Sequence, residues 1–220
     1  MSASKKSELR ELARKRKAAR MKGYCVLADF HNGAYACDYV SPWSISAHNE
    51  DADVMVVGHD WSSEDWMKRP VDKESARRGY SSKFQTNKNL FDLLRRHLGL
   101  EFEQVYATNA FPFIKKGRSQ GSIATGDMIW AIQEFLLPQI EIIRPQLVVC
   151  LGLAVYNGIR RSSKRNVVRP LAAAINSPFD LDCSQVAAVA HTGARGINNR
   201  GRAQIDKDWD ALGRLLRSFK

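Results

Sequence analysis

The chain has 220 residues, 44% of them apolar and 26% charged, which is the composition of one ordinary globular domain with room for a full core. Lysine and arginine outnumber aspartate and glutamate by 34 to 23, a net charge of +11 that points to a polyanionic partner. No apolar run approaches the ~20 residues that cross a bilayer, and Met1-Ser-Ala-Ser-Lys-Lys lacks the apolar stretch of a secretory signal, so a cytoplasmic, monomeric protein is the expectation.

Residues 1–22 carry nine basic residues against Glu8 and Glu11, a local charge of +7. Strong helix formers over 4–22, without Pro or Gly, predict a basic helical arm that Gly23 ends. Leu9, Leu12 and Ala13 make only a thin apolar stripe, so little core is expected to hold it. A DNA-binding arm and a merely solubilising helix both stay open. The remainder, 23–220, reads as a single α/β domain. Its first part, 24–50, is rich in aromatic and turn residues and predicts short strands or loops, with His31 and His48 as satisfied structural histidines.

Asp53-Val54-Met55-Val56-Val57-Gly58-His59-Asp60 follows. The β-branched run is too short for a helix and reads as a buried strand, which Gly58 lets turn at its carboxyl end. A polar loop over 61–85 contains Lys68, Arg69, Lys73, Arg77 and Arg78. Thr86 can cap a helix to about 98, with Leu90, Phe91, Leu93, Leu94 and Leu98 buried and Gly99 closing it. Val105–Asn109 predicts a second strand, 127–143 a helix stopped by Arg144-Pro145, and Leu147–Leu151 a third strand that Gly152 turns into a short helix, 153–160. Residues 160–184 are basic, then Ala-rich, and give no clear element. Val186–Ala190 predicts a fourth strand delivering His191; a basic glycine-containing loop and a closing amphipathic helix, Ile205–Phe219, complete the chain. Alternation of strands and helices gives a three-layer α/β/α fold around a four-stranded, mostly parallel sheet. Cys25, Cys37, Cys150 and Cys183 show neither Cys-x-x-Cys nor zinc spacing, so neither metal nor disulfide is expected, and Cys150 falls in a core strand.

Three strands therefore end in polar groups, Asp60, Asn109 and His191, and in a parallel sheet those ends share one rim, where ligands bind. An amide offers a donor and an acceptor together, matching the carbonyl-and-imino edge of a pyrimidine. An imidazole can oppose charge growing on a leaving group; a carboxylate can orient water or oppose a cation. Taken alone, Gly-His-Asp is equally a turn in which Asp bonds nearby backbone.

In segment order, the chain resembles the uracil-DNA glycosylase superfamily. Gly58-His59-Asp60-Trp61 is similar to its first motif, Thr108-Asn109-Ala110-Phe111-Pro112-Phe113 to its uracil-reading strand, and His191-Thr192-Gly193-Ala194-Arg195-Gly196 to its second catalytic loop; Arg144-Pro145-Gln146-Leu147-Val148-Val149-Cys150-Leu151-Gly152 is similar to a core strand of some branches. The resemblance covers about residues 50–216. It implies that Asp60 activates or orients the attacking water and that His191 stabilises the departing base. It further implies that Asn109 reads the base edge and Phe84 stacks on the base, with Gly58 and His59 beside them in the substrate site. Arg195, with Arg200 in the same basic stretch, would contact DNA. Trp61 stands where proline is usual, and Thr192-Gly193 where Pro-Ser is usual. Phe113 and Ile132 occupy places where some branches hold cluster cysteines, so no iron–sulfur cofactor is expected. The expected function is excision of uracil or another deaminated base from DNA. Two alternatives stand beside it: a weakly active or inactive protein of this fold that binds nucleic acid, and a nucleotide-binding α/β protein, although neither Gly-x-Gly-x-x-Gly nor a phosphate loop occurs.

Overall fold

The computed structural model describes residues 4–219. In chain order the elements are α1 (Lys5–Ala18), β1 (Tyr24–Cys25), β2 (Val54–Asp60), α2 (Glu64–Met67), α3 (Lys73–Arg78), α4 (Gln85–Leu93), β3 (Tyr106–Phe111), β4 (Ile114–Lys115), α5 (Thr125–Ala131), α6 (Leu137–Ile143), β5 (Leu147–Leu151), α7 (Leu153–Ser162), α8 (Leu171–Ile175), β6 (Phe179–Leu181), β7 (Ser184–Val189), α9 (Ala194–Arg200) and α10 (Arg202–Arg217). The main sheet has the order β3-β2-β5-β7-β6, parallel except for β6, and β1 pairs antiparallel with β4 in a small second sheet.

The four anticipated strands are all present. A fifth, β6, joins antiparallel at the edge, in a stretch too short and too polar to announce itself. Side chains alternate across each strand, so Met55, Val57, Val148 and Cys150 enter one core while Val54, Val56, Leu147 and Val149 enter the other. Leu12 of α1, Met128 of α5, Ile140 of α6 and Tyr156 of α7 complete the first core; Leu90 of α4 with Trp209 and Leu212 of α10 complete the second. Burial on both faces is why these strands read as continuous apolar runs.

Several boundaries differ from the sequence expectation. β2 does not turn at Gly58 but continues to Asp60, because β3 pairs with it as far as Asp60 opposite Phe111. Phe84, not Thr86, holds the N-cap position of α4, and the last turn, Leu94–Leu98, widens to π geometry before Gly99. The long helix after residue 125 also widens, over Ile132–Leu136, just ahead of Pro138, whose ring and missing N–H an α-turn would not accommodate. The loop over 61–85 holds α2 and α3, and the loop after His191 holds α9.

The basic arm is a docked layer rather than a loosely held one. Leu12, Ala13 and Arg16 are buried. The Arg16 guanidinium donates to the carbonyls of Cys37 (2.9 Å) and Tyr39 (2.5 Å), and the Lys5 ammonium donates to the carbonyls of Glu50 (3.0 Å) and Ile143 (3.3 Å). Residues 41–47 in turn line the free edge of β3. Ala107 donates its N–H to Ala47 O at 2.9 Å and accepts from Ser44 Oγ at 2.7 Å, which satisfies backbone groups that an exposed edge would leave open.

Candidate active site

β2, the first strand of the main sheet, is followed in the chain by its neighbour on one side, β3, and then by its neighbour on the other, β5. That reversal opens a crevice beyond the carboxyl ends of the strands, where α/β sheets bind ligands. A cleft of about 480 Å³ lies here, lined by Gly58, His59, Asp60, Phe84, Lys115 and His191 among others.

Asp60 is nearly buried and held from two sides. His59 Nδ1 donates to its Oδ1 at 2.5 Å, and Lys115 Nζ lies 3.0 Å from Oδ2 and 3.2 Å from Oδ1. Burial by itself would raise this carboxyl's pKa. The hydrogen bond and charge of His59, and then Lys115, outweigh burial and hold the pKa below the ordinary aspartate value, so Asp60 is ionised at neutral pH.

His191 stands two residues beyond β7. Gly193 donates its backbone N–H to His191 Nδ1 at 2.9 Å. An Nδ1 that accepts carries no proton, so the ring is neutral and its remaining hydrogen sits on Nε2. Burial lowers the pKa of His191, His59 and Lys115 lower it further, and Asp60 opposes them; the net shift is downward. Geometry and electrostatics thus agree on a neutral imidazole with one N–H to offer.

The loop carrying His191 is tied down by its unusual residues. Thr192 Oγ1 donates to Thr86 O at 3.0 Å, and Asn89 Nδ2 donates to Thr192 O at 2.7 Å. A Cβ at Gly196 would come within 1.9 Å of His191 O, so only glycine lets α9 start so close to the histidine. Trp61, the other departure, donates its indole N–H to Gly79 O at 2.7 Å and packs against Tyr35 and Trp66.

Phe84 lines the cleft, 41% exposed, its ring set edge-on to that of Trp66 with the ring centroids 5.7 Å apart. Asn109 departs from expectation. It lies level with Gly58 in the β2–β3 register, but it is only 1% exposed and does not line the open cleft. Its Oδ1 accepts from Ser41 Oγ at 2.6 Å, and its Nδ2 is buried without a partner among the described residues. A Cβ at Gly58 would lie 2.5 Å from that Nδ2 and 2.9 Å from the Trp43 ring, so the glycine serves close packing rather than a turn. Arg195 is exposed near His191 and lines a neighbouring hollow of about 540 Å³. Arg200, expected to contact DNA, makes a two-pronged ion pair with the buried carboxylate of Asp208, at 2.7 and 2.9 Å.

Lys115, Trp43 and Trp66 belong to the cleft and were not foreseen. Lys115 follows an apolar run, Phe113-Ile114, the one local hint of burial; the two tryptophans lie in segments without periodicity. Among the described residues no group of three or more His, Cys, Asp or Glu is placed to hold a metal.

Residues 45–213 match the family model of the Uracil DNA glycosylase superfamily. No curated protein matches the chain. The matched span takes in Asp60, Asn109 and His191, and it leaves out the arm and most of 24–50.

Proposed function

This chain belongs to the Uracil DNA glycosylase superfamily, a membership that brings a DNA glycosylase-type function in DNA repair with DNA as the substrate, and we propose that it hydrolyses the N-glycosidic bond of uracil, or of another deaminated base, flipped out of DNA. The observation that carries the proposal is the pairing in one cleft of an ionised Asp60 with a neutral His191. Breaking the bond leaves positive charge on the sugar and negative charge on the base. The carboxylate opposes the first and orients the attacking water, while the Nε2–H of His191 donates to the oxygen of the departing base. Phe84, with Trp66 behind it, offers a face on which an extruded base can stack, offsetting the few kcal/mol that unstacking costs. The buried Nδ2 of Asn109, without a partner among the described residues, is a donor suited to a base carbonyl.

The test is incubation of the purified protein with single- and double-stranded oligonucleotides bearing uracil, hypoxanthine or xanthine, followed by alkali. Strand breaks at the modified base are expected. Intact strands for all three would refute the proposal. One observation favours a second reading, a binder that does not cut: Lys115 and His59 already occupy both oxygens of Asp60. That reading expects lesion-dependent DNA binding with no abasic product.

A further inference from the structure

Lys115 is a buried ammonium whose side chain is 7% exposed, and Asp60 is the only group it bonds among the described residues, at 3.0 and 3.2 Å. It is also the only lysine among the described residues that line the cleft. Burying a lysine–aspartate pair costs desolvation that its attraction seldom repays, so stability alone is a weak reason for this pair. It is placed by the β1–β4 pairing, with Lys115 opposite Tyr24 of a segment that lies outside the family match.

Taking the cleft as the seat of a deoxyribose, as proposed above, the carboxylate that attends its C1′ brings the Lys115 amine to within reach of the same carbon. Removal of a base leaves that carbon as a hemiacetal in equilibrium with an aldehyde. Lysine amines condense with carbonyls. We infer that Lys115 forms an imine with the C1′ aldehyde of abasic DNA in this cleft.

The step runs as follows. Lys115 Nζ gives a proton to Asp60, 3.0 Å away, and becomes a neutral amine. Its lone pair attacks C1′, the carbonyl π electrons move to oxygen, and a carbinolamine forms. The hydroxyl leaves as water, taking the proton from Asp60, and a protonated imine remains. Ammonium plus aldehyde thus become iminium plus water, with no oxidant or reductant involved. The covalent bond retains a reactive product in the cleft, and hydrolysis returns both partners.

The full-length protein is mixed with an oligonucleotide that already carries an abasic site and treated with sodium borohydride, whose hydride reduces the imine to a stable secondary amine. A one-to-one adduct is expected, and mass analysis of its peptides is expected to place it on Lys115. Lys115→Arg, which keeps the charge but cannot form the imine, is expected to lose it; if that variant does not fold, the peptide assignment on the wild type decides. No adduct, an adduct on Lys83, Lys116 or the amino terminus, or an undiminished adduct in Lys115→Arg would overturn the inference. Because the abasic site is supplied, failure here is distinct from failure of base excision: an adduct on Lys115 without excision would sink the proposed reaction and leave this inference standing.

Discussion

Replacing His191 by alanine removes the one N–H that the loop after β7 offers to a departing base. Because Nδ1 is committed to the N–H of Gly193 at 2.9 Å, the ring has a single donor to offer in the cleft. Loss of one such preorganised donor raises the barrier by about 3–4 kcal/mol, a fall in rate of roughly 10²–10³. The structural cost is smaller. Gly193 loses its acceptor, worth about 1 kcal/mol, and in a chain of this size that lowers the melting temperature by about 2–4 °C. Single-turnover excision of uracil from an oligonucleotide between pH 5 and 9 measures the first quantity, and thermal unfolding the second. The wild-type rate should be level above neutrality and decline on the acid side of about 6.5, the ordinary histidine value, since His191 titrates below it and its protonated form sets an Nδ1–H against the N–H of Gly193. The variant should lack that decline. A His191→Ala rate within threefold of wild type would refute the donor role, since roughly 0.7 kcal/mol is far less than one preorganised donor is worth.

Asp60→Asn should cost about 10² in rate and also lower stability, because it leaves the Lys115 ammonium without its counter-charge; combined with Lys115→Met, the two changes should couple by about 0.5–3 kcal/mol in denaturant unfolding, and additive effects would dissolve the pair. Both Asp60 and His191 titrate lower in the folded protein than in the unfolded chain, so acid protonates the unfolded chain first: stability should fall as pH drops below about 6.5 and again below about 3.9, as melting curves against pH would show. Arg200→Ala should lower the melting temperature by several degrees and leave the salt dependence of DNA binding unchanged, whereas exposed Arg195→Ala should lower that salt slope by about 1 with little effect on stability. Leu12→Ala should destabilise the protein by about 2–3 kcal/mol if α1 is a packed layer, and an unchanged denaturant midpoint would make the arm an appendage.

Much of this molecule is legible in its sequence. The four parallel strands announce themselves because burial on both faces demands unbroken apolar runs, and because the strands are parallel Asp60 and His191 line one cleft, whereas Asn109 lies buried within β3, level with Gly58. What stayed hidden had no period. The short helices α2, α3 and α9 sit in polar stretches whose local pattern is that of a loop, and β6 is three residues long. The arm was misjudged because a thin stripe of Leu12 and Ala13 is enough once Arg16 is spent on the carbonyls of Cys37 and Tyr39, contacts that no sequence window contains. Arg200 looked like a free cation for the same reason: Asp208, its partner, is one helix away and, by itself, only another acidic residue on an amphipathic helix.

From residue order alone come the layering of the fold, the rim at the carboxyl ends of the strands, and the acid and imidazole carried there, since strand period and strand ends are local properties of a chain. The protonation of those two groups, the burial of Asn109, and the lysine standing against Asp60 are decided only by packing. Each of these depends on distances of about 3 Å between residues far apart in the chain, and in a medium of low dielectric such distances govern which atom keeps a proton.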